Sequence, residues 1–163
     1  MLADAVVGDV VLRDWFWLYR PAAPSIRAQS IQVVHSAWAL ARRGHRVVLC
    51  VQGGASPREV LGAYGLWPLT SLELVVLPAS NSLASALYRA RFLAWALRTG
   101  GHGIALARSK RHAAWALRWC PGRFRLLIEA HEADSALSAL AGRDPGPVWA
   151  LERRVLAGAH GLI

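Results

Sequence analysis

The chain has 163 residues, 55% of them hydrophobic, enough for one domain whose core buries roughly 70% of the surface that the unfolded chain exposes. Its mean hydropathy is +0.29, yet every long apolar stretch is broken by Arg, Asp, His or Gly before the ~18 to 20 residues of a spanning helix, so no transmembrane segment is expected. The net charge of +9 is almost wholly arginine, with Lys110 the sole lysine; its spread over several predicted helices, without a zinc-finger or RNP-type motif, argues against specific nucleic-acid binding.

Asp4 and Asp9 stand where a signal peptide carries basic residues, so a cytoplasmic chain is expected. Asp9 to Arg13 reads as a short apolar strand that the aromatic run Trp15 to Tyr19 continues or closes. Arg20 to Ser25 is a turn, from which Ser25 or a neighbour caps a helix over 27–43. Ile31, Val34, Trp38 and Ala41 form its apolar face, and Gly44 ends it. The unbroken apolar run Arg46 to Gln52, closed by Gly53 and Gly54, reads as a parallel strand buried on both faces, and completes one βαβ unit.

The same grammar repeats downstream. Ser56-Pro57 begins a short helix to Tyr64, and Leu72 to Leu77 is a third strand. Asn81 or Ser82 caps a helix ending at Arg98, and Gly103 to Arg108 is a fourth strand. Lys110 to Trp119 supplies a helix, Phe124 to Ala130 a fifth strand, and 147–156 a last helix. Alternating β and α elements predict an α/β, Rossmann-like parallel sheet with helices on both faces and right-handed crossovers. Ala157 to Ile163 reads as a turn and the first residues of another strand, so residues 1–163 are expected to be a single domain and a fragment of a longer chain.

Three places at predicted strand ends carry chemistry, because open α/β sheets bind ligands at the carboxyl ends of their strands. The first βα loop has no glycine between Gly8 and Gly44, which argues against a nicotinamide or flavin site, and no phosphate-loop motif occurs elsewhere. That loop offers Ser25, Arg27, Gln29 and Ser30 as either a helix cap with exposed neighbours or contacts to an anionic or hydroxyl-rich ligand. At the fourth strand end, Arg108 either forks onto a phosphate or carboxylate or pairs with Glu129, and Ser109 either joins it or caps the next helix.

The third place is Glu129-Ala130-His131-Glu132. In extended chain Glu129 and His131 share a face, so the carboxylate can orient the imidazole or raise its pKa while the other ring nitrogen meets a ligand. The alternative is that Glu132 or Asp134 caps a short helix and His131 is a solvated loop residue. With no second His or Cys at ligand spacing, no metal site is expected. His35, His45, His102, His112 and His160 read as structural or exposed. Cys50 and Cys120 lie in or beside apolar segments and read as buried free thiols. Among eight tryptophans, Trp38, Trp95, Trp115 and Trp149 fall on apolar helix faces, whereas Trp15, Trp17 and Trp67 lie near strand ends, where they pack in the core, line a pocket or touch a bilayer interface.

Ser25 to Gln32, followed by Ala37 to Leu49 with its Gly44-His45-Arg46-Val47 turn, resembles the first helix and second strand of GT-B glycosyltransferases. The Ala107-Arg108-Ser109 and Ile128 to Glu132 strand ends and the segment Leu151 to Ile163 resemble the same region of the retaining family 4 type. The first loop departs from the family pattern in lacking its glycine pair. The resemblance implies a two-domain enzyme that transfers a sugar from a nucleotide-sugar donor to a sugar, lipid-linked or small-molecule acceptor, without a further cofactor. It implies that this chain is the acceptor-side half, that His131 matches the family's sugar-contacting histidine, and that Ser25, Arg27 and Arg108 line the cleft. The donor would be held mainly by a C-terminal half, leaving the chain inactive alone; peripheral contact with the inner face of a membrane is a further expectation from its basic charge and aromatics. The alternative is a noncatalytic Rossmann-like binding or interaction module.

Overall fold

A computed structural model describes residues 6–7, 10–129 and 133–163. Two short strands, β1 (Val6–Val7) and β2 (Val10–Val11), pair antiparallel with each other. After them come β3 (Asp14–Leu18), α1 (Ala28–Arg42), β4 (Arg46–Gln52), α2 (Pro57–Ala63), β5 (Leu72–Leu77) and α3 (Asn81–Thr99). The chain continues through β6 (Ile104–Ala107), α4 (Lys110–Trp119), β7 (Arg125–Ile128), α5 (Asp134–Leu140), α6 (Gly146–Ala157) and β8 (Gly161–Leu162). The last six strands form one parallel sheet in the order β5-β4-β3-β6-β7-β8, so the fold is α/β and Rossmann-like.

Side-chain alternation along the central strands shows why both faces are covered. Phe16, Leu18, Val48, Cys50, Ala105 and Ala107 point into one core with Phe92 and Trp95 of α3, Ala113 and Ala116 of α4 and Val155 of α6. Trp17, Val47, Leu49, Val51 and Leu106 point into the other, against Val33, Val34 and Trp38 of α1 and Val60 of α2. A strand that buries both sets must be apolar throughout, which is the pattern of Arg46 to Gln52. Phe16, fully buried, centres the first core: its ring meets those of Tyr88, Phe92 and Trp95 at 5.8, 5.2 and 5.5 Å. Among the described residues no helix is long and apolar enough to cross a membrane. Both cysteines are free and buried.

Several expectations are corrected. The first strand of the sheet starts at Asp14 rather than Asp9: Asp14 sits opposite Arg46 of β4 and holds its guanidinium at 2.7 Å, while Val10–Val11 folds back on Val6–Val7. Helix α1 has Arg27 at its N-cap and no side-chain cap; the Ser25 hydroxyl instead accepts from the Arg27 N–H at 3.2 Å. Ile31 and Trp149 are exposed, at 38% and 53%, whereas Val34, Trp38 and Ala41 are buried as their spacing predicts. Trp17 is core, and Trp67, though 55% exposed, sets its ring edge on Trp38 at 4.5 Å. Helix α5 is the short helix of the alternative reading, with Asp134 in its first turn and Ala133 at its N-cap. Its first N–H groups are satisfied from α6, where the Glu152 carboxylate accepts from Asp134 and Ser135.

Candidate functional site at the carboxyl edge of the sheet

The chain lays β3 in the middle, winds outward through β4 and β5, then crosses by α3 to place β6 on the other side of β3. Loops leaving β3 and β6 therefore diverge in opposite directions, and the gap between them is where such sheets hold ligands. The β3–α1 loop is fixed from its outer side. The Ala23 N–H donates to the Gln52 carbonyl at 3.0 Å, and the Gln52 N–H donates to the Pro21 carbonyl at 2.9 Å. Gly53 completes the clamp, since a β-carbon there would stand 2.3 Å from the Ala23 carbonyl oxygen. Tyr64 of the α2 end grips the loop again, its hydroxyl accepting from the Ser25 N–H at 2.8 Å and donating to the Ser25 carbonyl at 3.1 Å.

On the α1 side of this edge, three side chains from distant segments meet. Gln32, in the second turn of α1, accepts from Arg108 Nη1 at 3.2 Å through its amide oxygen and donates from Nε2 to Glu129 Oε1 at 3.3 Å. Arg108 lies 3.7 Å from the same Glu129 oxygen. The two charged side chains are 8% and 14% exposed, and Arg108 Nε is buried without a hydrogen-bond partner among the described residues. The backbone holds them in register, for β6 and β7 pair Ala107 with Ile128, and the Glu129 N–H donates to the Ala107 carbonyl at 2.9 Å. An amide, a guanidinium and a carboxylate at this edge of the sheet supply both donors and acceptors, the set that sugar hydroxyls use.

The remaining site residues separate into two groups. Ser109 caps α4, its hydroxyl accepting from the His112 N–H at 3.4 Å, so the capping alternative holds. Ser25 is engaged with Tyr64 and Arg27, and Arg27 is exposed at the start of α1; neither joins the Gln32–Arg108–Glu129 cluster by a hydrogen bond or ion pair among the described residues. His131 and Glu132 lie outside the described residues.

On the α3–α4 side of the edge, a cavity of about 230 Å³ opens between the β3 end and the two helices, with Arg20, Tyr88, Arg89, Arg111, His112 and Trp115 in its wall. Arg20 donates to Ser85 Oγ at 3.3 Å, and Arg89 stands over the Trp115 ring at 5.5 Å. His112 donates to the Leu18 carbonyl, while its Nδ1 is buried and unpaired among the described residues. Burial first, then the charges of Arg20 and Arg89, holds its pKa below the usual histidine value. Further along, Lys110 at the start of α4 reaches Glu152 at 2.8 Å and Asp134 at 3.0 Å. Burial alone would raise Glu152, but hydrogen bonds from Lys110, Ser135 and the Asp134 N–H, with the Lys110 charge, hold it at about 2.

Gln32, Arg20 and Arg89 are absent from the sequence-based site because their positions depend on how α1 and α3 lie across the sheet. Arg20 alone left a local signal, an arginine two residues beyond the first strand of a βαβ unit. Compared with family profiles, curated proteins and solved structures, the chain matches none.

Proposed function

We propose that this chain is the acceptor-side half of a GT-B-type glycosyltransferase, which moves a sugar from a nucleotide-sugar donor to an acceptor. The observation that carries the reading is the Gln32–Arg108–Glu129 cluster, set at the carboxyl edge beside the β3/β6 switch point of a six-stranded parallel sheet. Its mixed donors and acceptors suit hydroxyl groups, and the glycine-free β3–α1 loop does not suit the backbone cradle of a dinucleotide. In this reading Arg108 and Gln32 orient hydroxyls of the bound sugar or acceptor, Glu129 fixes the guanidinium, and His131, by resemblance, contacts the transferred sugar. Donor phosphate is left to a second, C-terminal half, and half of the transition-state environment is then supplied from elsewhere.

The test offers a panel of nucleotide sugars to the product of the complete reading frame and follows release of nucleoside diphosphate. Turnover is expected there, reduced about tenfold or more by Arg108→Ala, the size of one lost charge-assisted hydrogen bond. The 163-residue chain alone should not turn over. Robust turnover by that chain, or an Arg108→Ala enzyme as active as its parent, removes the reading. The pairing of Arg108 with Gln32 and Glu129 favours one alternative, a noncatalytic binding module, in which Arg108→Ala lowers stability and changes no ligand affinity.

A further inference from the structure

The cavity on the α3–α4 side differs in kind from the cluster on the α1 side. Arg20, Arg89 and Arg111 enter its wall, and among the described residues no carboxylate lines it. None of the three forms an ion pair among the described residues, whereas Arg46, Arg91, Arg98, Arg108 and Lys110 all do. A chain with 19 basic and 10 acidic residues carries a surplus of positive charge. Surplus charge is cheapest when spread over the solvated surface, because like charges brought together raise one another's energy. Here the surplus is gathered and held in place: Arg20 is half-buried and tied to Ser85, and Arg89 is stacked on Trp115.

Two further features point the same way. Arg111 and His112 belong to the first turn of α4, whose dipole presents its positive end to the cavity side. His112 keeps one ring nitrogen buried and unpaired among the described residues, a position at which an incoming anion stabilises a proton. At about 230 Å³ the space is several times the ~30 Å³ that a water occupies, so it admits a phosphate group together with part of the molecule that carries it.

We propose that this cavity is a binding site for a phosphomonoester or pyrophosphate group, gripped by Arg20, Arg89 and Arg111, with Trp115 flanking the body of the ligand. The site stands on the cavity alone and does not depend on the glycosyltransferase reading. The group can come from a soluble phosphate ester or from a lipid headgroup, and the experiment separates the two.

Inorganic pyrophosphate is titrated into the 163-residue chain at low ionic strength by calorimetry, and flotation is measured with phosphatidylcholine vesicles with and without phosphatidic acid. Arg89→Gln and Arg111→Gln remove exposed side chains, and circular dichroism checks that both variants fold. Each is expected to weaken binding about tenfold, as the loss of a charge-assisted contact does. Arg58→Gln, the same charge change on α2 across the sheet, should change it less than about twofold. Pyrophosphate binding with this pattern assigns a soluble ligand; binding confined to phosphatidic-acid vesicles with the same pattern assigns a headgroup. Binding of neither probe, binding indifferent to Arg89 and Arg111, or an equal loss in Arg58→Gln overturns the proposal.

Discussion

Replacing Glu152 by alanine should cost this fold about 3 kcal/mol, because one carboxylate serves three helices. It accepts from Lys110 of α4 at 2.8 Å, and from the Asp134 and Ser135 N–H groups of α5 at 2.7 and 3.3 Å, as well as from the Ser135 hydroxyl. Loss of a charged hydrogen bond removes about 1.5–3 kcal/mol, and loss of a helix cap about 1 kcal/mol. Lys110 retains Asp134 at 3.0 Å, so the penalty for stranding a half-buried charge is only partial. In a domain of this length about 3 kcal/mol lowers Tm by about 6–12 °C. The pH dependence provides a second readout. The folded-state pKa of about 2 lies below the ordinary 4.5, so the stabilisation is complete above pH 4.5 and is lost as the pH falls from 4.5 through 2. Glu152→Gln removes that titration, and its stability should vary less than the parent's across the window. Thermal melts of parent, Glu152→Ala and Glu152→Gln over this range test the reasoning. A fall in Tm under about 2 °C, or parallel acid profiles for parent and Glu152→Gln, would refute it.

The glycine clamp predicts an asymmetry between neighbours. Gly53→Ala should lose about 1–3 kcal/mol by urea unfolding, since its β-carbon meets a backbone carbonyl, whereas Gly54→Ala, with nothing within 4 Å, should stay within about 0.5 kcal/mol. His45 accepts the Arg13 N–H through Nδ1 at 3.3 Å, and burial, then Arg43, lowers its pKa from 6.5. Its contribution is therefore complete above pH 6.5 and is lost as the pH falls below 6.5 toward the folded value. His45→Asn, which keeps an acceptor for the same N–H, should flatten the difference between urea midpoints measured at about pH 7.5 and about pH 5. Cys50, its thiol pushed up to about 12 by burial, and Cys120 should both resist a disulfide reagent in the native chain and both react in denaturant; rapid native labelling of either would contradict their packing.

Two of the strands were the most legible part of the fold. Arg46–Gln52 is an apolar run buried on both faces and Leu72–Leu77 an edge run interrupted by Glu73, each bounded by turn residues, and the structure places both strands at those bounds. The entry to the sheet was less so, since Val10–Val11 is as apolar as the aromatic run that follows, and only pairing distinguishes a hairpin from a sheet strand. Helix α5 was legible only as an alternative, because the carboxylate that meets its first N–H groups is Glu152, 18 residues away in the chain. Within the site, Arg108 and Glu129 were visible as polar residues closing apolar strands, and they do meet. Gln32 was not, because it reaches them across 76 and 97 residues by virtue of how α1 lies on the sheet.

The two sides of the carboxyl edge answer the same charge imbalance in different ways. On the α1 side, a guanidinium placed beside a carboxylate and an amide is neutralised locally, and a ligand there exchanges one hydrogen-bond partner for another. Such an exchange selects by geometry and depends weakly on salt. On the α3–α4 side no carboxylate among the described residues lines the cavity, so an anion gains Coulomb energy without displacing one of them, and screening by salt must weaken it. The strands β3 and β6 separate the two, and the backbone of the β3 exit serves both: Arg20 lies on one side, and the loop held by Gln52, Gly53 and Tyr64 leads to α1 on the other. A ligand that pulls on Arg20 therefore acts on the same nine-residue connection that sets the first turn of α1, which is the physical route by which occupancy of one side would alter the other.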